Sequence, residues 1–316
     1  MYQPPTVTIK VFYPGALLEP SFLDVAVISD SILNPAYPNP IGTYYDAWCL
    51  DRNVQIDLRL PSFSAGVYSS YEPAVLAANV PSFASSPYLG NLDNINWLLN
   101  WYDGTNPGIT IGDVQGAIWK LVGSDPIASY LGPQDNIDAL VALALANDGY
   151  VPDAGEAIGI ILDPVDSNGV HHQPLIIETR AAKLGDRVWH DRNANGIQDS
   201  GEEGIAGVAV QLVRDLNDDG DFDDANEVLA NTATDINGNY SFKGLTPGLD
   251  YQVVFATPNG YDMASPRQSD GNPASGANSD GMTSDIVVLS PGEHNPTLDA
   301  GFYKPAALGD RVWLDA

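Results

Sequence analysis

A single cysteine, Cys49, in 316 residues excludes any intrachain disulfide. Basic residues are scarce too: 13 Lys and Arg face 41 Asp and Glu, for a formal net charge of -28. Nucleic acid, which needs a basic face, is thereby excluded as a partner, and anionic membrane surfaces are disfavoured. No apolar run reaches transmembrane length, so no direct membrane insertion is expected, and no basic-then-apolar signal segment follows Met1. Also absent are Gly-x-Ser-x-Gly, a phosphate-binding Gly-Lys-Thr loop and His-Glu-x-x-His. His171 and His172 adjoin each other without a nearby Cys, and His190 and His294 stand alone, which is no zinc set. These absences argue against a metabolic enzyme.

What is present folds. The chain is 44% hydrophobic and long enough for two domains with separate cores. Its 30 Gly and 24 Pro favour turns and short strands. One repeat organises it: Leu184-Gly185-Asp186-Arg187-Val188-Trp189 returns as Leu308-Gly309-Asp310-Arg311-Val312-Trp313, a period of 124 residues. Residues 184–304 then form one unit, and residues 305–316 a linker and the start of a further repeat. With Asp315 and Ala316 ending the chain just inside that copy, the sequence reads as a piece of a longer protein.

Within 184–304, Val208–Leu212, Tyr240–Phe242, Tyr251–Phe255, Ile286–Leu289 and Leu298–Tyr303 alternate or run apolar between turn signals. The expectation is an all-β, immunoglobulin-like sandwich. Residues 1–180 mix strands with helices, which predicts an α+β domain. Val7–Phe12, 23–28, 41–60, 157–162 and 174–179 read as strands. Leu92–Trp101, Val114–Val122 and Ile137–Ala146 read as helices, the first two bearing Trp97, Trp101 and Trp119 and covering a sheet.

The sharpest chemical signal runs from Asp191 to Glu202. Oxygen-bearing side chains occupy loop positions 1, 3, 5, 9 and 12 (Asp191, Asn193, Asn195, Asp199, Glu202), Gly196 holds the turn at position 6, and Ile197 offers its carbonyl at position 7. A hard cation wants six to eight oxygens, and this is the twelve-residue calcium-loop spacing. A second run repeats it with Asp215, Asn217, Asp219, Asp221 and Asp223 around Gly220. There position 12 is Asn226, so either Glu227 closes the loop one residue late or Asp224 helps to close it. Eleven acidic and two basic residues between Asp191 and Glu227 repel one another, and divalent cations would offset that. Asp235 and Asn237, with Asn239, form either a third cation group or a plain Asx turn. Asp270, Asn278 and Asp280 lie in a Gly- and Ser-rich loop and could complete a site from across the fold, which spacing alone does not show. The cofactor expected is Ca2+, at two sites with a third open.

At this point residues 184–304 resemble the B-type modules of serine-aspartate-repeat adhesins, within the collagen-adhesin B-like domains. The matching pieces are Leu184–Trp189, Asp191–Glu202, Thr234–Phe242 and Asp299–Tyr303. The resemblance implies a surface-exposed stalk of calcium-binding β-sandwiches. Some related domains carry a Lys-to-Asn crosslink; here Lys183 precedes the first strand and Asp299 stands in the last in place of Asn, so none is expected.

Cys49 lies in Ala47-Trp48-Cys49-Leu50-Asp51, and Gln115 in Asp113-Val114-Gln115-Gly116-Ala117-Ile118-Trp119 at the expected start of a helix. This pair resembles the thioester domains of bacterial surface adhesins, with Val114 standing where that pattern has Thr. The resemblance implies a Cys49–Gln115 thioester with helix-start donors near its acyl oxygen. A related scaffold without the bond, or a buried thiol packed near Trp119, accounts for the same residues. The combined reading is an extracellular, cell-surface adhesin fragment that is not an enzyme. Its partner would be a host or environmental surface protein or glycan, or copies of itself in a fibre. The alternative is a purely structural subunit of a fibre or surface layer, joined by strand exchange through Val7–Phe12.

Overall fold

The structure is a computed structural model, and it describes residues 6–12, 23–30, 44–84, 86–124, 131–216, 220–222, 224, 227–261, 263–267 and 279–304. The N-terminal part is built on a closed barrel of six antiparallel strands. In chain order these are β1 (Thr6–Phe12), β2 (Leu23–Asp30), β3 (Tyr44–Cys49), β4 (Phe63–Ser69), β5 (Ala157–Val165) and β6 (Leu175–Arg180), arranged β1-β2-β3-β6-β5-β4. Alternation fills the interior. Val7, Ile9 and Val11 of β1 point inward with Ala47, Cys49, Ile160, Leu162, Leu175 and Ile177. Strands β3, β5 and β6 are covered on their outer face as well, where Trp48, Ile161 and Ile176 meet the helices. That double burial explains the unbroken apolar run of β5.

Four helices pack there: α1 (Pro73–Asn79), α2 (Leu92–Trp101), α3 (Ile111–Leu121) and α4 (Gln134–Leu145). Leu92, Ile95, Leu98 and Leu99 of α2 form the buried stripe expected from their spacing. Asn96 and Asn100 of α2 accept from the backbone N–H groups of Gly159 and Ala157, both at 2.7 Å, and so hold the helix to β5. A capping box starts α3 at Thr110 with Asp113, three residues earlier than expected.

Three expectations for this part are corrected. The sheet closes into a barrel and is not merely covered by helices. Residues 41–60 are not one strand: β3 ends at Cys49, and residues 50–62 form an irregular strap, punctuated by Asp51, Asn53 and Pro61. The strap lays Ile56, Leu58 and Leu60 against the barrel core. Strand exchange through Val7–Phe12 is not on offer, because β1 is paired on both sides, with β2 and β4.

The chain enters its second part without a linker: β6 ends at Arg180 and β7 (Ala182–Leu184) begins two residues later. The remaining strands are β8 (Val188–His190), β9 (Ala209–Val213), β10 (Val228–Ala233), β11 (Phe242–Leu245), β12 (Asp250–Phe255), β13 (Met263–Ala264), β14 (Val287–Val288), β15 (His294–Asn295) and β16 (Ala300–Tyr303). They form a β10-β9-β12-β14 sheet and two three-stranded sheets, β11-β7-β15 and β13-β16-β8. One core joins them, with Leu184, Val188, Val210, Leu212, Val253, Phe255 and Phe302 all buried. This part is all-β as expected, and among the described residues its strands group into three small sheets around one core. Strand positions agree with the sequence reading to within a few residues. The second copy of the repeat, Leu308–Trp313, lies outside the described residues.

Candidate functional site

Two places gather the residues singled out by sequence. The first is the rim of the barrel. Cys49 is the last residue of β3, with its side chain inside the barrel wall near Trp119. Gln115 lies in the second turn of α3, so the expected helix-start donors are not what it meets. Its carboxamide instead clasps the peptide group of Cys49 itself. The Cys49 N–H donates to Gln115 Oε1 at 2.8 Å, and Gln115 Nε2 donates to the Cys49 carbonyl at 2.8 Å. Gln115 is wholly buried and Cys49 is 2% exposed. The clasp holds the carboxamide against the Cys49 backbone, with an N–H already on the carboxamide oxygen. Burial pushes the Cys49 thiol up to about 12, so at rest it keeps its proton.

A cavity of about 680 Å³ opens on the same rim. Cys49, Trp119 and Gln173 line its inner end, and the strap, β1 and β2 form its walls. Nearby, burial pushes the Glu178 carboxyl up to about 7 while Trp48 Nε1 donates to it at 3.1 Å. Trp48 and Cys49 point to opposite faces of β3, so Glu178 is on the helix side, away from the thiol. No sequence signal marked Glu178.

The second place is the pair of acidic loops. In the first, Gly196 N–H donates to Asp191 Oδ2 at 2.7 Å, and both oxygens of Glu202 accept backbone N–H groups, from Arg192 at 2.8 Å and Asp199 at 3.0 Å. Asn193 and Asn195 turn their amides to Asp199, and the carbonyl-bearing Ile197 follows Gly196 in its left-handed turn. The second loop repeats this pattern. Gly220 N–H donates to Asp215 Oδ2 at 2.9 Å, and Glu227 accepts from Leu216 and Asp224, each at 3.0 Å. Glu227 therefore stands in the second loop where Glu202 stands in the first, one residue later along the chain. Asn217, Asp219, Asp223 and Asn226 lie outside the described residues, as do Asp270 and Asn278. Asp235 accepts from the Asn237 and Asn239 N–H groups at 2.8 and 2.9 Å, the geometry of an Asx turn. Among the described residues, no group of three or more His, Cys, Asp or Glu side chains converges as a ligand sphere. The loop carboxylates are turned onto backbone N–H groups instead. Their spacing, the glycine turns and the buried Asp191, Glu202 and Glu227 fit a hard cation.

The loops sit at opposite ends of the module. The first follows β8 at the end where β16 leaves, with Asp191 N–H on the Phe302 carbonyl at 3.0 Å. The second follows β9 beside the N-terminal part. Just before it, Arg214 reaches across to Glu72, its Nη1 donating to both carboxylate oxygens at 3.0 and 2.8 Å. Both side chains are under a tenth exposed. Around them, Thr246 donates to Ser69, Gly244 N–H to the Pro152 carbonyl, and Lys183 and Lys243 both pair with Asp153. Sequence reading missed this joint. Arg214 had a faint signal as one of two basic residues in a run of acids, and Glu72 had none.

Comparison with known proteins covers the second part most strongly. The family profile described as "SdrD B-like domain" matches residues 182–302. The chain is 35% identical over 221 residues to serine-aspartate repeat-containing protein D of Staphylococcus aureus strain Newman, covering 66% of this chain and 15% of that protein. It is 42% identical over 133 residues to serine-aspartate repeat-containing protein F of Staphylococcus epidermidis, covering 42% of this chain and 7% of that protein. The chain thus spans less than a sixth of the relatives it matches. Among solved structures, the Bacillus anthracis TIE protein aligns at 9% identity over 95% of this chain and 66% of that one, with a TM-score of 0.22. A likeness that low carries no argument.

Proposed function

Starting from residues 182–302 as an SdrD-like domain, non-catalytic and belonging to an extracellular bacterial surface protein, we propose that this chain is a structural segment of a surface fibre or layer. The observation that carries this is the joint. The N-terminal barrel and the module meet through the buried Arg214–Glu72 pair and the Lys183–Asp153–Lys243 cluster, with one residue between their strands. A joint of that kind transmits force and does not swivel. Calcium completes the reading. Asp191, Asn193, Asn195, Asp199, Glu202 and the Ile197 carbonyl would hold one ion, and Asp215 to Glu227 a second. Ions there would neutralise carboxylates at both ends of the module. In this reading the Asp235–Asn237 turn is a folding element. Melting the chain in calcium and in excess chelator tests the proposal. Chelation should lower the midpoint and open 191–241 to protease; an unchanged melt would remove the calcium half.

A second reading is favoured by the clasp of Gln115 on Cys49: a covalent tip. Cys49 Sγ attacks Gln115 Cδ, the C–N bond breaks, and ammonia leaves with the thiol proton. The Cys49 N–H already on Oε1 would stabilise the developing oxyanion. The thioester so formed acylates an amine of a host or environmental surface partner once per molecule. Intact mass decides it. The bond lowers the mass by about 17 Da, the mass of lost ammonia. A full mass with freely titrating Cys49, in protein never exposed to amines, would refute it.

A further inference from the structure

The rim cavity has a charge pattern at odds with the rest of the chain. It is lined by Lys10 and Arg52, with Arg59 at its outer edge, three of the 13 basic residues of a protein whose net charge is -28. Among the described residues of its lining the one carboxylate, Asp57, is already bound to Arg59 through two side-chain bonds of 2.8 Å. Among the described residues neither Lys10 nor Arg52 has a carboxylate in ion-pair reach; Lys10 Nζ lies over the Phe12 ring at 5.1 Å. Between these cations the wall is apolar: Val54, Ile56, Leu58 and Leu23. Cys49 lines the inner end and Gln115 does not, so a nucleophile entering from solvent arrives over the sulfur.

We infer that this cavity docks an acidic peptide segment that carries a lysine, and delivers the lysine amine to Cys49. The inference rests on the thioester reading and adds the identity of the partner chemistry. In the step itself the amine nitrogen attacks Gln115 Cδ, the C–S bond breaks, and the amine's proton passes to the Cys49 sulfur. An amide links the two chains and a free thiol remains. Carboxylates flanking the lysine are held by Arg52 and Lys10, and its apolar neighbours by the wall. The protein's overall field favours cationic partners, so selection of an anionic one must come from this local pair.

The test uses the full chain and two synthetic peptides with one central lysine, flanked by Glu in one and by Arg in the other. Adducts are followed by intact mass at low and high salt, with methylamine as a control that carries no flanking residues. The acidic peptide should react at least about threefold faster than the basic one, with the preference fading in salt, as rim charges act on encounter. K10E/R52E should reverse the order of the two peptides. Equal rates, or a faster basic peptide, with methylamine still adding, overturn the docking surface and leave the thioester standing. Should methylamine fail to add, the thioester reading falls, and the surface is judged by fluorescence anisotropy of the acidic peptide on the Cys49→Ala chain. Binding lost in the K10E/R52E background supports it; no binding, or displacement only by an anionic polysaccharide, overturns it.

Discussion

Replacing Glu72 by Gln should cost more stability than replacing Arg214 by Met, although both break the same bond. The pair is buried, with side-chain exposures of 4% for Arg214 and 7% for Glu72. Removing one partner of such a pair leaves a charge without compensation, which costs on the order of 3–5 kcal/mol. The two partners differ in their escape. Burial pushes the Glu72 carboxyl up even with the guanidinium beside it, so in Arg214→Met it can take a proton and become neutral. A guanidinium has no such route. In Glu72→Gln the Arg214 charge loses its bidentate buried partner and keeps the longer contact to Asp250, whose Oδ1 is 3.6 Å from Nε and which is itself a third exposed. We expect Glu72→Gln to cost about 3 kcal/mol and Arg214→Met about half that, the latter cost shrinking further as pH falls. For a chain with domains of this size, 3 kcal/mol is a fall of roughly 6–12 °C in midpoint. Calorimetry of both variants and the double variant, at pH 5 and pH 8, reads this out. A Glu72→Gln chain within about 0.5 kcal/mol of the parent, or an Arg214→Met chain that suffers more, would refute the reasoning.

Other expectations follow from the same contacts. Glu227→Ala should remove the calcium increment of the second loop while Asp224→Asn spares it, read by midpoint against free calcium; a site held at 100 times its Kd contributes about 2.7 kcal/mol. Equal effects of the two would return closure to Asp224. Burial first, then Asp186 and Asp280, push Asp299 up to about 9. The folded state therefore holds a proton that the unfolded chain releases near pH 4, so this contribution is full below that pH and is lost as pH rises toward 9. Asp299→Asn should flatten that decline in chelator-treated protein, and an unchanged slope would place the titration elsewhere. Gln115→Glu should abolish amine addition, since a carboxylate is too poor an electrophile for the thiol to attack; persistent adducts would move the electrophile off Gln115.

Sequence alone determined what is local. The Asp191–Glu202 loop was legible because its oxygens, its glycine turn and its closing Glu lie within twelve residues, and the backbone turns they impose are set by those same residues. Alternation in β1, β9 and β12, and the stripe of α2, were legible because one-sided burial imposes a period on neighbours. What only the tertiary structure decided involves partners far apart in the chain. The amide of Gln115 meets a peptide 66 residues away, β3 finds β6 across the whole helical insertion, and Arg214 finds Glu72 at a separation of 142. In the second loop, one residue off the spacing rule, it is likewise the folded chain that puts Glu227 on the Leu216 and Asp224 amides. Such pairings depend on barrel closure and domain docking, whose energy is spread over many residues, so no short stretch of sequence encodes them.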